Sequence, residues 1–325
     1  MMTRKAKTVS VINWKGGVGK TTLTYHLAVG LQHLSRDQLE PLAYKNMPPK
    51  VLLVDADAQC NLCISCLTAE QFEHMIYRDK AGTLKDLIKH FLENERPPVD
   101  VHDYILPSCV RSGNDEVYTN IDLLPSHPDL IYTDMNIAVY SRPNFRKQLL
   151  GSDLYKFQLL DNILNTVKHE YDFIFIDCPP NLNYVTQNAL YASDCYLIPT
   201  IPDKLSSYGI LSIIHKVNDL NQMFRSAVKG YTDTKLVGIV LNQIREYGNK
   251  PKDTQAYIIN ILKSMFHTEI FENYLTYGDG IPKASAFGYP VFALARSHPN
   301  SEKQSQCVKN ITFEFVTYSH HLRFA

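Results

Sequence analysis

A glycine-rich loop near the start of the chain constrains the fold more than any other feature of the sequence. Residues 8–13 (TVSVIN) form an apolar run of strand length, and a helical pattern begins at Lys20. Glycines at such a junction let backbone N–H groups close around an anion, and the helix N-terminus adds the positive end of its dipole. The loop reads Lys15-Gly16-Gly17-Val18-Gly19-Lys20-Thr21-Thr22. We therefore expect a phosphate-binding loop between a parallel strand and a helix.

Apolar runs of strand length alternate with helical patterns along the rest of the chain. Because this alternation favours βαβ units, the predicted fold class is α/β, with a doubly wound, mostly parallel sheet flanked by helices. Buried strands are predicted over residues 8–13, 51–55, 172–177, 195–200 and 235–241. Helices are predicted over 20–34, 145–168, 183–192, 205–224 and 254–266, with a closing helix over 301–322.

We predict one domain spanning residues 1–325, with an elaboration at about 68–130. The elaboration holds a helix over 83–93 and two short strand-like pieces, 104–106 and 121–124. No internal repeat or Gly/Ser linker divides the sequence. The connection over residues 35–50 is long for a loop between a helix and a strand.

Composition excludes several classes of protein. Apolar residues make up 45% of the chain and charged residues 20%, which excludes a mainly disordered protein. Basic and acidic residues number 33 each, which excludes a globally basic nucleic-acid coat. No run of 18 apolar residues occurs, and the basic start leads directly into a strand and not into the apolar core of a signal peptide. With an odd count of 7 Cys, these features predict a reduced, cytoplasmic protein without a membrane span.

The loop departs from the simple phosphate-loop pattern in having Trp14 where that pattern has Gly, and in opening with a second lysine, Lys15. In this it resembles the deviant Walker A box, K-G-G-x-G-K-[ST], of the ParA/MinD superfamily of P-loop ATPases. The expected ligands are ATP and Mg²⁺, with Lys20 reaching the β- and γ-phosphates and the Thr21 hydroxyl binding the metal ion. By the resemblance, Lys15 would reach across a nucleotide-sandwich homodimer to the partner's phosphates.

Two further blocks carry the same resemblance. Residues 51–61 (VLLVDADAQCN) resemble the motif D-x-D-P-Q-G-N, and residues 173–180 (FIFIDCPP) resemble a Walker B strand with the switch segment D-x-P-P. The resemblance implies that Asp57 positions or activates the attacking water, that Asp55 supports the loop and Mg²⁺, and that Asp177 holds Mg²⁺ through water. The predicted catalytic residues are thus Lys15, Lys20 and Asp57, and the predicted metal residues are Thr21, Asp55 and Asp177.

Departures from these motifs are informative. Ala58 stands where the family has Pro, and Cys60 stands where it has Gly, so this loop is expected to move differently.

Asn242, at the end of a strand, resembles the family's adenine-contacting Asn. Residues 281–291 resemble a C-terminal block, I-P-R…A…G-x-P, in a shortened form. The resemblance covers residues 8–66 and 120–300, and it implies the small ParA type without an N-terminal helix-turn-helix domain.

The predicted function is that of a ParA-type ATPase that dimerises with ATP and binds DNA nonspecifically. It would position a plasmid, chromosome or other cargo on the nucleoid, and a ParB-like or cargo-adaptor protein would stimulate its slow hydrolysis. From residue 201 onward 14 basic residues face 10 acidic ones, so DNA contacts are expected there. The candidates are Arg225, Lys229, Lys235, Arg245, Lys250 and Lys252.

Three alternative functions stay open. A MinD-like membrane-cycling ATPase needs a basic amphipathic tail, but Arg323 is the one fixed cation near the end of the sequence.

A metal-linked ATPase could use Cys60, Cys63 and Cys66, with Cys178 as a fourth ligand. We expect these thiols to pack instead at the start of the helix after the second strand. A biosynthetic amide- or carboxylate-activating enzyme of the same superfamily would need a substrate pocket.

Overall fold

A six-stranded parallel sheet forms the centre of the protein, whose computed structural model describes residues 6–40, 47–113, 116–141 and 153–321. The strands are β1 (Lys7–Val11), β2 (Val51–Asp55), β3 (Arg111–Gly113), β4 (Glu116–Val117), β5 (Ile121–Leu124), β6 (Phe173–Asp177), β7 (Cys195–Thr200), β8 (Lys235–Leu241), β9 (Glu246–Tyr247) and β10 (Lys250–Pro251). The central sheet has the order β5-β2-β6-β1-β7-β8, and every neighbouring pair in it is parallel. The predicted α/β fold with a doubly wound parallel sheet is confirmed.

Helices cover both faces of this sheet. They are α1 (Lys20–Gln32), α2 (Arg36–Leu39), α3 (Asn61–Cys66), α4 (Ala69–Glu73), α5 (Leu84–Glu93), α6 (Thr133–Val139), α7 (Leu159–Asn165), α8 (Tyr184–Ala192), α9 (Ser206–Ala227), α10 (Asp253–Phe266), α11 (Gly280–Ala286) and α12 (Pro299–His321). Short 3-10 segments lie at Val101–Tyr104, Pro128–Tyr132, Leu154–Phe157, His267–Glu269 and Val291–Leu294, and a π-helical turn (His74–Arg78) extends α4. Within the described ranges, no helix is both long and apolar enough to cross a bilayer.

The central strands are apolar on both sides because both faces of the sheet are covered. In β6, Ile174 and Ile176 belong to the core under one helical layer, and Phe173 and Phe175 belong to the core under the other. Successive side chains of a strand point to opposite faces, so a strand buried on both faces reads as a continuous apolar run. This is why the sequence pattern located these strands.

The closing helix α12 packs on the sheet. Val308, Ile311 and Phe315 are buried, and the ring of Phe315 lies 5.8 Å from that of Phe173 and 5.5 Å from that of Phe175. Helical spacing predicted this helix correctly from residue 301 to 321, and Leu322 lies outside the described residues. Helix α12 is therefore part of the core.

Two predicted elements are wrong. The helix predicted over residues 145–168 appears in the described residues as a 3-10 turn followed by the short helix α7, and residues 142–152 lie outside the description. Bonds from residue i to i−3 tighten the chain at both ends of α7, as in Gln158 N–H to the Tyr155 carbonyl. The strand-like piece predicted over residues 104–106 is not a strand: Tyr104 ends a 3-10 turn that the Asp100 side chain starts, and Leu106 forms one antiparallel bridge to Leu123.

The segment from residue 68 to 130 contributes both peripheral and central structure. Helix α5 and the β3–β4 hairpin lie outside the central sheet, but β5 is its edge strand and pairs with β2. The connection over residues 35–50 contains the short helix α2, which Ser35 caps. The carboxyl ends of β1, β2, β6 and β8 meet at one edge of the central sheet. This is the edge at which ligands bind in open α/β sheets.

Candidate nucleotide-binding site

The loop between β1 and α1 has the backbone that a phosphate cradle needs. Gly19 adopts the left-handed region at φ 93° immediately before α1. A Cβ at this position would lie 2.0 Å from Asn242 Nδ2, so any other residue would be strained at this φ and would displace the Asn242 amide. In contrast, a Cβ at Gly16 or Gly17 would meet no atom within 4 Å. The loop is therefore packed against β8 on one side and open on the other, where a ligand can approach its backbone.

A cavity of about 530 Å³ opens in front of this loop. Its volume is within the range of cofactor pockets. Residues of the loop and of the strand ends line it: Gly16, Gly17, Gly19, Lys20, Thr21, Thr22, Asp57, Gln59, Pro180, Asn242 and Gln243. Residues around α11 and α12 also line it: Leu275, Thr276, Tyr277, Gly278, Ile281, Pro282, Ser285 and Gln304.

Lys20 brings a buried positive charge to the cavity. It is the first residue of α1 and is 8% exposed, and its Nζ donates a long hydrogen bond of 3.4 Å to the Lys15 carbonyl. Burial lowers the pKa of Lys20, while the charges of Asp177 and Asp57 oppose that effect. A desolvated ammonium beside exposed loop N–H groups favours an anion in the cavity, as predicted for the phosphates of ATP.

Thr21 and Asp177 lie together at the other side of the loop. The Thr21 hydroxyl donates a 2.6 Å hydrogen bond to Asp177 Oδ2, and Thr24 Oγ1 lies 3.5 Å from Asp177 Oδ1. Burial and the nearby charge of Asp55 raise the pKa of Asp177 well above its usual range. A hydroxyl and a carboxylate are the hard oxygen ligands that Mg²⁺ prefers, and Mg²⁺ usually takes its other ligands from water and phosphate. These residues therefore fit the predicted metal site, although the described part of the chain holds no cluster of three or more His, Cys, Asp or Glu side chains that could hold a metal alone.

The two carboxylates at the carboxyl end of β2 have different positions. Asp57 is 9% exposed and lines the cavity. Asp55 is wholly buried, and its two oxygens accept the backbone N–H groups of Asp57 at 3.1 Å and Cys63 at 2.9 Å. Burial raises the pKa of Asp55 to about 6. The structure thus places Asp57 where a water-positioning residue is expected, and it places Asp55 under the loop that carries Asp57.

Lys15 points away from the cavity that its own loop forms. It is about half exposed, and its ammonium pairs with the carboxylate of Asp203, in the turn before α9. Burial alone would raise the pKa of Asp203, but the Lys15 ammonium, the Ser206 hydroxyl and the Leu205 N–H together outweigh it, and the pKa lies below its usual value. Asn13 fixes the start of the loop by accepting Lys15 N–H at 2.9 Å and donating to the Pro199 carbonyl at 2.9 Å. Lys15 therefore faces away from the cavity of its own subunit and toward Asp203.

Two amides at the end of β8 hold the loop in place. Asn242 Nδ2 donates to the Val18 carbonyl at 2.8 Å, and Gln243 Nε2 donates to the Gly17 carbonyl at 3.1 Å. Asn242 was predicted as an adenine contact, and it lines the cavity, but its amide N–H is bonded to the loop. Gln243 was not among the predicted site residues, although a polar residue directly after a strand at the ligand edge of the sheet is a recognisable signal.

The wall of the cavity next to α11 depends on Gln304 of α12. Its Nε2 donates to the Thr276 carbonyl at 2.7 Å, and its Oε1 accepts Ile281 N–H at 2.7 Å. The sequence block over residues 281–291 pointed to this region, but Gln304 lies in the middle of a helix and has no local signal. The cavity is therefore closed by contacts between segments distant in sequence.

The candidate DNA-binding residues lie in two separate groups. Arg225, Lys229 and Lys235 are at the amino edge of the sheet, where Arg225 pairs with Asp233 at 3.3 Å. The second group surrounds the β9–β10 hairpin at the opposite edge. The groups are separated by at least the length of β8, about 20 Å. One flat surface therefore does not contain all six candidates.

The second group lies next to the nucleotide cavity. It consists of Arg245, Lys250 and Lys252, all of which are exposed. The Arg245 guanidinium lies 4.9 Å from the ring centre of Tyr277, a residue of the cavity wall. Lys252 N–H donates to the Arg245 carbonyl at 2.8 Å, which fixes the hairpin base.

The cysteines singled out by their spacing are in and before α3. Cys60, Cys63 and Cys66 are all buried, as is Cys178 after β6. The Cys63 sulfur accepts Ser126 N–H at 3.2 Å, and Cys60 Sγ donates to the Ala58 carbonyl at 3.4 Å. The three cysteines therefore pack along α3, with Cys60 directly before the helix, Cys63 within it and Cys66 at its last residue.

Comparisons with known proteins agree with this geometry. Residues 6–229 match the family model AAA_31, described as an AAA domain. The chain is 26% identical over 283 residues to the chromosome partitioning protein ParA of Myxococcus xanthus, covering 87% of this chain and 80% of that protein.

Two solved structures have the same fold. The McdA–ATP complex of Cyanothece superposes with a TM-score of 0.67 at 20% identity, over 94% of this chain and 95% of that one. A plasmid partition protein of Borrelia burgdorferi bound to AMPPNP superposes with a TM-score of 0.61 at 21% identity, over 94% and 97%. Together with the matched family model and the loop geometry, these likenesses identify the chain as a member of the AAA_31 family and a P-loop ATPase of the ParA family, within the ParA/MinD superfamily.

Proposed function

We propose that this protein is an ATP-dependent, dimerising ParA-type ATPase that binds DNA nonspecifically and positions a DNA molecule or another cargo. One observation carries the proposal: Lys20, Thr21 and Asp57 line a single cavity in front of the phosphate loop, and the Thr21 hydroxyl is bonded to the buried Asp177 behind it. A cation, a carboxylate and a metal-binding oxygen pair are the groups that phosphoryl transfer to water needs in one place.

Each group has a separate task in the proposed hydrolysis. Lys20 and the loop N–H groups bind and orient the phosphates, and Asp57 orients the attacking water. Thr21 and Asp177 would hold Mg²⁺, which when bound neutralises the charge on the β- and γ-phosphates. Asp177 is already fixed by its bond to Thr21, so little reorganisation is needed.

The proposed dimer uses Lys15 as a contact between subunits. Its ammonium lies outside the cavity on the same edge as Leu205 and Tyr208 at the start of α9, which are 70% and 76% exposed. Large apolar side chains exposed beside an outward-facing cation support an interface at this edge. Exchange of Asp203 for a partner's phosphate would redirect Lys15 when two nucleotide-bound subunits meet.

The proposed DNA contact uses the basic group at the β9–β10 hairpin. Arg245, Lys250 and Lys252 can bind phosphates without reading bases. The Myxococcus relative is a chromosome partitioning protein, and the Borrelia structure is that of a plasmid partition protein, which supports a cargo of DNA and a place on the nucleoid. A ParB-like or adaptor protein would stimulate hydrolysis.

Two variants test the catalytic assignment. Lys20→Ala is expected to lose ATP binding by calorimetry, because it removes the buried charge that faces the phosphates. Asp57→Ala is expected to bind ATP like the wild type but to lose turnover at least tenfold, since it removes the water-positioning carboxylate and leaves the phosphate cradle intact.

The exposed residues Lys89 and Asp103 provide matched controls. Lys89→Ala and Asp103→Ala are expected to bind and hydrolyse ATP like the wild type. Unchanged ATP affinity in Lys20→Ala would contradict the loop assignment, and full turnover in Asp57→Ala would contradict the role of that carboxylate.

A further inference from the structure

Ser126 holds the loop that carries Asp57 from the side opposite to Asp55. It follows β5 and Pro125, and it is wholly buried. Its hydroxyl donates a 2.8 Å hydrogen bond to the backbone carbonyl of Asp57. Its N–H donates to Cys63 Sγ at 3.2 Å. One residue just beyond the edge strand therefore binds both the start of the Asp57 loop and the helix that follows it.

With Ser126 in place, the backbone of Asp57 is fixed on both sides. Its N–H donates to Asp55 Oδ1 at 3.1 Å, and its carbonyl accepts both the Ser126 hydroxyl and Cys60 N–H, the latter at 3.0 Å. The side chain is restrained as well, because Asp57 Oδ1 accepts Gln59 N–H at 3.0 Å. This leaves Oδ2 of the carboxylate to act on another group in the cavity.

We infer that Ser126 is a positioning residue for Asp57, and that its hydroxyl sets the orientation in which the carboxylate meets the attacking water. The inference rests on the proposed function, since it takes Asp57 to be the water-positioning residue. A carboxylate that only has to hold a water contributes through placement, and small displacements of such a group reduce the rate strongly. Ser126 touches neither the cavity nor a ligand-facing atom, so it acts through Asp57.

The conformation at the other end of the loop explains why the Ser126 hydrogen bond matters. Cys60 closes the loop at φ 54°, a left-handed conformation that residues other than glycine rarely adopt. A loop that contains such a residue persists only when surrounding bonds over-determine its shape. Removing the Ser126 hydroxyl leaves the Asp57 carbonyl with the Cys60 N–H as its hydrogen-bond partner inside the loop, so the loop is expected to relax.

The test compares Ser126→Ala with Ser319→Ala, in which a buried serine of α12 loses its hydroxyl far from the site. Ser126→Ala is expected to lower kcat for ATP at least tenfold, with KM and the calorimetric affinity for AMPPNP unchanged. Ser319→Ala is expected to keep kcat, whatever its melting temperature. If Ser126 had only a structural role, Ser126→Ala and Ser319→Ala would both have a lower melting temperature, and neither would have a changed kcat.

A double-mutant cycle with Asp57→Ala tests the route of the effect. If Ser126 acts through Asp57, the replacement of Ser126 has no further effect on kcat in the Asp57→Ala background. An unchanged kcat in Ser126→Ala, or additive losses in the cycle, would overturn the inference. If wild-type protein itself shows no ATP turnover, the proposed function fails instead.

A second pair of variants keeps the inference testable if Ser126→Ala does not fold. Ser126→Thr retains the hydroxyl, and Ser126→Val has the same shape without it. The two side chains have the same size, so a kcat for Ser126→Thr at least tenfold above that of Ser126→Val supports positioning of Asp57 by the hydroxyl. Equal kcat values in this pair would overturn it.

Discussion

At the scale of single residues, Cys60 is the place where this chain departs most clearly from the pattern it resembles. The family has Gly at this position, and the structure gives Cys60 a φ of 54° directly before α3. The thiol is 1% exposed, and burial raises its pKa to about 12, so the sulfur stays protonated at neutral pH. The conformation demanded by the motif has thus been retained although the glycine that suits it has been replaced.

Replacing Cys60 tests whether this conformation is strained. A left-handed conformation costs a residue with a Cβ about 1 kcal/mol relative to glycine. Cys60→Gly is therefore expected to be more stable than Cys60→Ala by about 1 kcal/mol, the reverse of the usual order of these residues. Urea denaturation of the two variants measures the difference. An alanine variant as stable as the glycine variant would show that the position carries no strain.

Sequence motifs located the site residues that touch the cavity but not those that support them. Lys20, Thr21 and Asp57 stand in local patterns whose spacing dictates their chemistry, and the structure brings all three to one cavity. Ser126 and Gln304 reach the same region from distant segments. Their contacts depend on how β5 and α12 pack, and a residue pattern within a single segment does not contain that information.

At the scale of elements, the phosphate-loop helix is tied to the C-terminal part of the chain by a buried imidazole. His26 of α1 is bonded through Nδ1 to the Thr22 carbonyl at 2.8 Å, and its Nε2 accepts Val291 N–H at 3.2 Å. Both bonds can form only when the ring is neutral. Burial lowers the pKa of His26 to about 4, with the Thr22 carbonyl opposing that effect.

His26 predicts a loss of stability on acidification. Between its unfolded pKa of 6.5 and its folded pKa of about 4, the unfolded chain binds the proton and the folded protein does not. The contribution of His26 to the free energy of unfolding therefore rises with pH in this window, and lowering the pH from 7.5 to 5 is expected to reduce that contribution by about 2 kcal/mol.

The variant His26→Gln isolates this contribution, because Asp55, with its raised pKa, acts in the opposite direction in the same pH range. Urea denaturation of both proteins at pH 7.5 and 5 gives the four values needed. We expect the stability advantage of the wild type over His26→Gln to shrink by about 2 kcal/mol at pH 5. An advantage that does not depend on pH would contradict a neutral, buried His26.

Elements with a strong apolar pattern were predictable, and elements set by local capping were not. The strand β6 and the helix α12 bury regular apolar positions, and both were found from the sequence. Helix α7 is shorter than its pattern indicates because bonds of the 3-10 type tighten the chain around it. The edge strand β5 was seen only as a strand-like piece of an elaboration, since its place beside β2 follows from the topology of the whole sheet.

At the scale of the whole molecule, the two basic groups make different predictions for DNA. The hairpin group of Arg245, Lys250 and Lys252 lies beside the nucleotide cavity, whereas the group of Arg225, Lys229 and Lys235 lies at the far edge of the sheet. Replacing the hairpin group by Ala is expected to weaken ATP-dependent binding to unrelated duplexes. Its log K against log salt slope should fall in magnitude by roughly 3, about one for each phosphate contact.

The far-edge triple variant is the matched control, and we expect it to bind DNA like the wild type. Filter binding or fluorescence anisotropy across a salt series measures both. Loss of DNA binding in the far-edge variant alone would move the interface to the amino edge of the sheet. Binding of the ATP-loaded wild type to anionic liposomes and not to DNA at low salt would favour a MinD-like membrane ATPase.

The central claim is that nucleotide drives two copies of this chain together through Lys15, and sedimentation tests it most directly. Lys15 points out of its own cavity toward Asp203, and in the proposed dimer its charge assists the phosphates of the facing subunit. Wild-type protein is expected to sediment as a monomer with ADP and as a dimer with a nonhydrolysable ATP analogue, as is the control Lys89→Ala. Lys15→Ala is expected to bind the analogue through Lys20 and stay monomeric. A Lys15→Ala variant that dimerises like the wild type, or a wild type that stays monomeric with the analogue, would contradict the account.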